Sequence, residues 1–506
     1  MIATLAAGCA IGPLGGTPAP PRVADAACVR LFEAIDAEVA RAGTGDGGTA
    51  RVEGFRTLRV DRLLASYAGE PMDAGRFGDW VGAMRSLDRN ARAVEIANLP
   101  QERRARVRAL VDALPADVAD PDAGDAGRID ACAERVLALD LEVPGARAFI
   151  LSAASVPDDY DDRLRALGLY PFTAFGYAAG IRVYERETRA AWSLPLADLP
   201  RRGVSKIYRP VGAAVDVAEL RRTVGALVAS DAFPPAPRAD PAAVERLFAA
   251  YAPAWVIDEA TPADRPGHVV LRADGRPDVD PASVVVTTRL AWTRFDRTLL
   301  PQLVYTIWFP DRPSQFPGDP LAGRLDGLVW RVTLDRDGAP LVFDTIHACG
   351  CYHQFIPTGR LVERPAAGSV EEGALVVQTL PPLTAGPRAT LVVASGTHYL
   401  RRVLIGEDPA EDPRSAASSS AVITYTLAAD GDLRSLRDNG GGTRSLFRPD
   451  GLVGGSERPE RALFWPTGIV SAGAMRQWGR HATAFVGRRH FDEPFLIERY
   501  FSRADR

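Results

Sequence analysis

A proline-rich stretch at residues 233–241 places the strongest constraint on how this chain folds. Four prolines fall within the eight residues that follow Phe233. Proline lacks a backbone donor and collides with the preceding helical turn, so no helix continues through this stretch. The 506 residues are enough for two or more domains with sizeable cores. We therefore predict a linker at 233–241 with a separate domain on either side.

The pattern before the linker is helical. Apolar residues recur every three or four positions from Ala24 onward, which is typical of helices that bury one face. This pattern predicts a mainly helical domain over residues 24–232. Its clearest further helices are predicted at 73–97, 101–114, 130–140 and 157–195.

The pattern after the linker changes to short β-branched runs that turn residues separate. Regular short strands favour an antiparallel sandwich or barrel. We predict an α+β fold, in which a β-rich domain over 242–470 follows the helical domain and an Arg- and His-rich segment over 471–506 ends the chain. The predicted strands are 283–288, 303–308, 328–334, 341–343, 374–379, 389–394 and 421–427.

Charge and motifs exclude several classes of function. The net charge of −4 and pI near 6.0 give no basic footprint, so we predict no nucleic-acid partner. The single lysine, Lys206, does not follow a glycine-rich phosphate loop. The motifs of serine hydrolases, zinc proteases and c-type haem proteins do not occur, and we find no pyridoxal-phosphate signature. No uncharged apolar run is long enough to predict a membrane-spanning helix.

The N-terminus carries a possible export signal. Residues 1–21 contain no charged side chain, and Leu5-Ala6-Ala7-Gly8-Cys9 resembles the lipobox of bacterial lipoproteins. The resemblance implies a signal and tether over 1–23, with lipid attached to Cys9. It also implies an exported protein that is anchored to the membrane on the periplasmic face of the cell envelope. The alternative is a Gly- and Pro-rich N-terminus with an incidental cysteine.

Cys28 and Cys132 each lie on the apolar face of a predicted helix. In an oxidising compartment two such cysteines can form a disulfide that staples the helices together. The alternative is that both are small buried apolar residues. We predict the disulfide.

The stretch at 344–353 concentrates the residues that carry chemistry. It holds two of the six histidines and two of the five cysteines. His347, Cys349, Cys351 and His353 have the same parity and would share one face of a β-strand. A straight strand would separate the two histidines by about 20 Å, so a common site requires a bend. Gly350 is the natural place for it.

Three interpretations of this stretch remain open. In the first, the four residues and His398 bind zinc or copper, and an open coordination position would make the site a metal-dependent hydrolase. In the second, Cys349 and Cys351 form a dithiol for redox chemistry. In the third, the cysteines and histidines are structural and the protein is a binding or scaffold lipoprotein. We favour metal binding, and protein partners and enzyme status stay undecided.

Two segments also resemble an uncharacterised group of proteobacterial envelope proteins. The resemblance is carried by residues 344–357 and by the C-terminal runs at 475–481 and 487–493, and it extends over the β-rich half. It implies an envelope location and no known activity.

Overall fold

The fold class is α+β, as predicted. A helical N-terminal region precedes a β-rich domain that is built on one ten-stranded mixed sheet. Cys9, the rest of 1–22 and residues 235–237 of the predicted linker lie outside the described residues, so lipid attachment and the domain boundaries stay predictions. The computed structural model of the chain describes residues 23–118, 120–211, 216–234, 238–365, 371–406, 422–438 and 440–504.

The helices within these ranges are concentrated before residue 252. The predicted helices at 73–97, 101–114 and 130–140 correspond to α3, α4 and α5, and the predicted helix at 157–195 is divided into α7 and α8. The bounds are α1 Val23–Ala42, α2 Arg62–Ala65, α3 Ala74–Ala97, α4 Gln101–Asp112, α5 Gly124–Glu142, α6 Ala146–Ala153, α7 Asp162–Leu167, α8 Tyr170–Ser193, α9 Val217–Ala229, α10 Pro241–Tyr251, α11 Arg461–Phe464 and α12 Leu496–Tyr500.

The large sheet has the strand order β11-β10-β9-β8-β7-β15-β3-β4-β13-β14. Its pairs are antiparallel except β13 with β4 and β15 with β3 and β7. The bounds are β1 Ala50–Arg51, β2 Arg59–Val60, β3 Val204–Pro210, β4 Ala254–Glu259, β5 His268–Leu271, β6 Pro277–Asp280, β7 Val285–Phe295, β8 Thr298–Arg312, β9 Gly323–Leu334, β10 Pro340–His347, β11 Gln354–Pro357, β12 Leu361–Glu363, β13 Ala389–Val393, β14 Leu400–Ile405, β15 Val422–Ala429, β16 Leu436–Arg437, β17 Thr443–Arg444 and β18 Phe501–Arg503.

A disulfide joins α1 to α5 in the helical region. Cys28 and Cys132 are bonded, their Cα atoms are 5.1 Å apart, and both side chains are fully buried. They belong to a hydrophobic core shared by α1, α4 and α5. The predicted disulfide is therefore confirmed, because two apolar helix faces that pack together bring both cysteines into one core.

The strands β9 and β10 lie near one edge of the large sheet and are covered on both faces. Every residue of β10 is buried. Leu328 and Trp330 of β9 face one core, while Val329 faces a second core that includes Met475 and Phe491 of the C-terminal segment. Because both faces are covered, the sequences of these strands are nearly continuous runs of apolar residues and do not alternate between apolar and polar.

The C-terminal segment over 471–504 is mainly irregular and ends with α12 and with β18 paired to β12. The prediction of a strand at 374–379 is wrong, because Val376 makes only an isolated bridge to Phe355. Ala374 and Val376 instead pack into the hydrophobic core between β11 and the C-terminal segment.

None of the helices in the described ranges combines the length and the apolarity needed to cross a bilayer.

Candidate functional site

The cysteine- and histidine-containing stretch forms the turn between β10 and β11. The amide of His347, the last residue of β10, donates to the carbonyl of Cys351 at 3.0 Å. The amide of Gly350 donates to the carbonyl of His347 at 2.7 Å. These two hydrogen bonds close a compact turn that carries both thiols.

The predicted bend at Gly350 is present. Gly350 has a φ of 95°, a left-handed conformation that side chains disfavour. A Cβ at this position would also lie 2.5 Å from the carbonyl oxygen of Ala482. Backbone angle and close packing therefore both require glycine between the two cysteines.

The turn places the two histidines on opposite faces of the sheet. Thr345 pairs with Gln354 across the strands, and continuing this register sets His347 opposite Tyr352. Cross-strand partners share a face, and the His347 and Tyr352 rings are indeed 5.1 Å apart. His353 therefore falls on the other face, because neighbouring residues of a strand alternate.

On one face, His353 belongs to a buried charged group. Its Nε2 donates to Asp344 at 2.8 Å, and Arg331 donates to the same carboxylate through Nε at 2.8 Å. Burial lowers the pKa of His353 to about 4, so the ring is neutral near pH 7. With the proton on Nε2, Nδ1 bears a lone pair, and this buried atom has no hydrogen-bond partner within the part of the chain that the structure describes.

On the other face, Asp326 hydrogen-bonds to the other two histidines of the predicted site, His347 and His398. It accepts hydrogen bonds from Nδ1 of His398 at 2.8 Å, Nδ1 of His347 at 3.3 Å and the guanidinium of Arg458 at 3.2 Å. Burial disfavours the charged ring of His398, but the carboxylates of Asp264 and Asp326 outweigh it and raise the pKa of His398. Burial lowers the pKa of His347.

The prediction of a metal site, and with it of a metal-dependent hydrolase, is wrong. Among the residues that the structure describes, no three His, Cys, Asp or Glu side chains are grouped so that they could hold an ion. Two of the predicted ligands hydrogen-bond to Asp326, one hydrogen-bonds to Asp344 on the opposite face, and the two free thiols interact with each other. The predicted ligands thus separated are His347, Cys349, Cys351, His353 and His398.

Backbone strain is concentrated around the turn. Tyr352 and His398 have φ values of 63° and 52°. Leu325, which precedes Asp326, has 55°, and Ser471, which accepts from Arg476, has 51°. Non-glycine residues in this conformation persist only where the surrounding structure holds them, and they are frequent at functional sites. The strain therefore favours a functional role for the region.

A cavity of about 400 Å³ opens at the turn. We call it the thiol cavity. Its wall combines α8, the turn and the loops of the C-terminal segment, so three distant parts of the chain meet there. The lining residues on which the chemistry depends are Tyr184, Cys349, Cys351, Tyr352, His353 and Glu460.

The two thiols at the cavity wall are free and differ in acidity. Cys349 is 4% exposed and Cys351 is half-buried. The hydrogen bond from Cys351, together with the charge of Arg458, lowers the pKa of the Cys349 thiol. The same hydrogen bond and burial raise the pKa of Cys351. Cys349 is therefore the thiol that ionises first.

Glu460 was not predicted from the sequence and lies in the same cavity. It is 3% exposed, and a Cβ on Gly473 would overlap its Oε1, so the carboxyl group occupies space that only glycine leaves open. Burial raises the pKa of Glu460 to about 7, and Arg458 opposes this only in part. No local motif could reveal the residue, because more than a hundred positions separate it from the cysteines.

A larger cavity of about 730 Å³ lies between the helical region and the sheet. Its arginines are engaged within the protein, since Arg62 pairs with Asp159 and Asp492 and Arg289 pairs with Asp430. We place the candidate site at the smaller cavity because the thiol with the lowered pKa and the carboxyl group with the raised pKa are there.

Comparison with models of known protein families, with curated proteins and with solved structures found no match. The resemblances to bacterial lipoproteins and to envelope proteins therefore stay predictions.

Proposed function

We propose that the protein carries out thiol–disulfide exchange at Cys349 and Cys351. The observation that carries the proposal is a pair of free thiols one residue apart on a closed turn at the wall of a cavity, whose interaction shifts their pKa values in opposite directions. Exchange requires a thiolate as nucleophile and a second thiol within reach. Cys349 meets the first requirement and Cys351 the second.

The reaction proceeds in two displacements. The Cys349 thiolate attacks a substrate disulfide R–S–S–R, forming a mixed disulfide with Cys349 and releasing one thiolate RS⁻. Cys351 loses its proton and attacks the Cys349 sulfur, which closes the Cys349–Cys351 disulfide and releases the second RS⁻. Two thiol protons leave the protein and two RSH form, so the dithiol is oxidised and the substrate is reduced.

Glu460 is suited to accept the proton from Cys349. A carboxyl group with a pKa of about 7 exchanges protons readily near neutral pH. The charged and titratable groups around it are Arg312, Arg458, Asp319 and Asp326 and the two thiols.

The disulfide in the helical region supports an oxidising compartment. Structural disulfides persist mainly in exported proteins, and Cys28–Cys132 is fully buried. This agrees with the proposed export of the chain, in which a lipid on Cys9 would supply the membrane anchor.

We expect dithiodipyridine, a neutral disulfide, to oxidise the dithiol to an internal disulfide. In a Cys9→Ala background, two thiopyridones should be released per chain and no label retained, because Cys351 resolves the mixed disulfide. Cys351→Ser should release one thiopyridone and retain the other half on Cys349. The measurements are absorbance and intact mass.

Cys349→Ser is the matched variant, and it should react more slowly than Cys351→Ser because Cys351 has the raised pKa. A folded protein whose thiols at both positions resist the reagent, or retain two labels without forming the internal disulfide, would rule out the proposed function.

In the wild type, the ionisation of Glu460 and that of Cys349 both raise the exchange rate as pH increases. Glu460→Gln is expected to remove the first of these. In the wild type the rate should rise as Glu460 ionises near pH 7, because only the carboxylate accepts the Cys349 proton. The variant should follow the ionisation of Cys349 alone. Rates with dithiodipyridine at pH values on both sides of 7 test this.

Stability gives a second measurement on the same variant. Burial raises the pKa of Glu460 from 4.5 in the unfolded chain to about 7 in the folded protein. The stability that Glu460 contributes is therefore complete below pH 4.5, where the carboxyl group is neutral in both states, and it is lost as pH rises through 7. At about 1.4 kcal/mol per pKa unit, Glu460→Gln should gain on the order of 3 kcal/mol above pH 7 and nothing at low pH. Glu457→Gln, at a residue that accepts from Arg448 outside the cavity, is the control and should change neither property. Identical pH profiles for wild type and Glu460→Gln would remove Glu460 from the mechanism.

A further inference from the structure

Two exposed glycines of α8 line the thiol cavity, and we take the opening beside them as its entrance. Gly176 and Gly180 are one turn apart on the same helical face, and both line the cavity. A Cβ added to either would meet no heavy atom within 4 Å. Each glycine inside a helix costs about 1 kcal/mol relative to alanine, and no close packing explains these two. Without side chains, the two glycines leave the space beside the cavity open.

The wall beyond the entrance is aromatic and apolar. Tyr177, Ile181 and Tyr184 of α8 face the cavity together with Tyr352 and Phe464. Outside it, Phe172 lies one turn before Gly176 on the same face of α8 and is 76% exposed. A small aromatic or aliphatic group can therefore contact apolar side chains both at the entrance and inside the cavity.

The charges in the cavity do not favour an anionic ligand. Glu185, Glu372 and Glu460 line it. The arginine that lines it, Arg489, is already engaged, because it lies 3.6 Å from Glu372 and donates to the carbonyl and hydroxyl of Thr483. Among the lining residues that the structure describes, a carboxylate on the substrate would meet like charge and no free cation.

The size of the cavity limits access to the thiols. About 400 Å³ admits a small molecule, whereas Cys349 is only 4% exposed and lies below the surface that a folded protein could contact. A disulfide within a folded protein would have to reach the Cys349 sulfur through the same entrance.

We infer that the substrate of the dithiol is a small, uncharged aromatic or aliphatic disulfide, and not a disulfide within a protein. This inference rests on the proposed function. The chemistry is the exchange described above, with R an uncharged aromatic or aliphatic group and two RSH as products.

The test compares three disulfides with the full chain in the Cys9→Ala background. Dithiodipyridine is the neutral aromatic probe, dithiobis(nitrobenzoate) is an anionic aromatic of similar size, and oxidised glutathione is a charged peptide. Each rate is divided by the rate of the same protein unfolded in urea, which removes differences in intrinsic reactivity. The neutral probe should be favoured by at least about tenfold, the ratio that 1.4 kcal/mol gives.

Gly180→Leu should lower the normalised rate with dithiodipyridine by about tenfold by narrowing the entrance, again equivalent to 1.4 kcal/mol. Gly176→Ala, a smaller change, should lower it less. Both should leave the helical circular dichroism and the thermal midpoint unchanged or higher. The matched control is Gly82→Leu on α3, where an added Cβ also meets no atom within 4 Å and the cavity is remote.

The outcomes separate this inference from the proposed function. Thiols that react with none of the three probes in the folded protein would overturn both. Thiols that form the internal disulfide with equal normalised rates for all three probes, or that react unchanged in Gly180→Leu, would leave the dithiol function standing and overturn the inferred substrate class.

Discussion

Replacing both Cys28 and Cys132 by alanine is expected to lower the free energy of unfolding of the helical region by about 4 to 5 kcal/mol. The bond closes a loop with a sequence separation of 104 residues, and loops of this length gain most from cross-linking in the unfolded state. Alanine leaves no polar group in the core that the two sulfurs now occupy. Urea denaturation followed by circular dichroism measures the change.

The wild type treated with reductant supplies the control for this experiment. It should unfold at the same urea concentration as the double variant, whereas reductant should leave the double variant unaffected. A variant as stable as the oxidised wild type would show that the disulfide does not stabilise the fold.

Replacing Asp344 by alanine is expected to cost about 3 to 5 kcal/mol, because it leaves the charge of Arg331 without its anion in the interior. The side chains of Arg331 and Asp344 are 1% and 0% exposed, and His353 loses its hydrogen-bond partner as well. Removing both charges together, as in Arg331→Met/Asp344→Leu, should recover much of the loss. Urea denaturation of the β-rich domain, followed by tryptophan fluorescence, checks both changes.

An exposed ion pair provides the comparison. Glu134 accepts from Arg85, and its side chain is 65% exposed. Glu134→Ala should cost less than about 1 kcal/mol, because water screens and replaces the interaction. An Asp344→Ala variant that loses no more stability than Glu134→Ala would contradict the role assigned to the buried group.

The thiol pair and its bend were predictable because they are local. One residue separates Cys349 from Cys351, and Gly350 is the residue type that accepts the required backbone angle. The Cys28–Cys132 disulfide was predictable for a related reason, since helical periodicity set both cysteines on faces that had to be buried.

The metal site was wrongly predicted because the alternation of side chains along a strand was assumed to continue through a turn. His347 and His353 share a parity, which sets them on one face only if the strand continues without reversal. The chain reverses between them, so His353 joins Asp344 and His347 joins Asp326 on the opposite face. Sequence spacing does not contain the register that decides this.

The sequence by itself determined the features that depend on neighbours along the chain: mainly helices before the proline-rich stretch, mainly strands after it, a dithiol on a glycine bend and two cysteines on apolar helix faces. Only the tertiary structure decided what surrounds that dithiol. Glu460 and α8 come from segments far from the turn in sequence, and their meeting depends on how the sheet and the C-terminal segment pack. Local backbone preferences act over a few residues, whereas the pKa values and the shape of a cavity depend on groups that packing brings together.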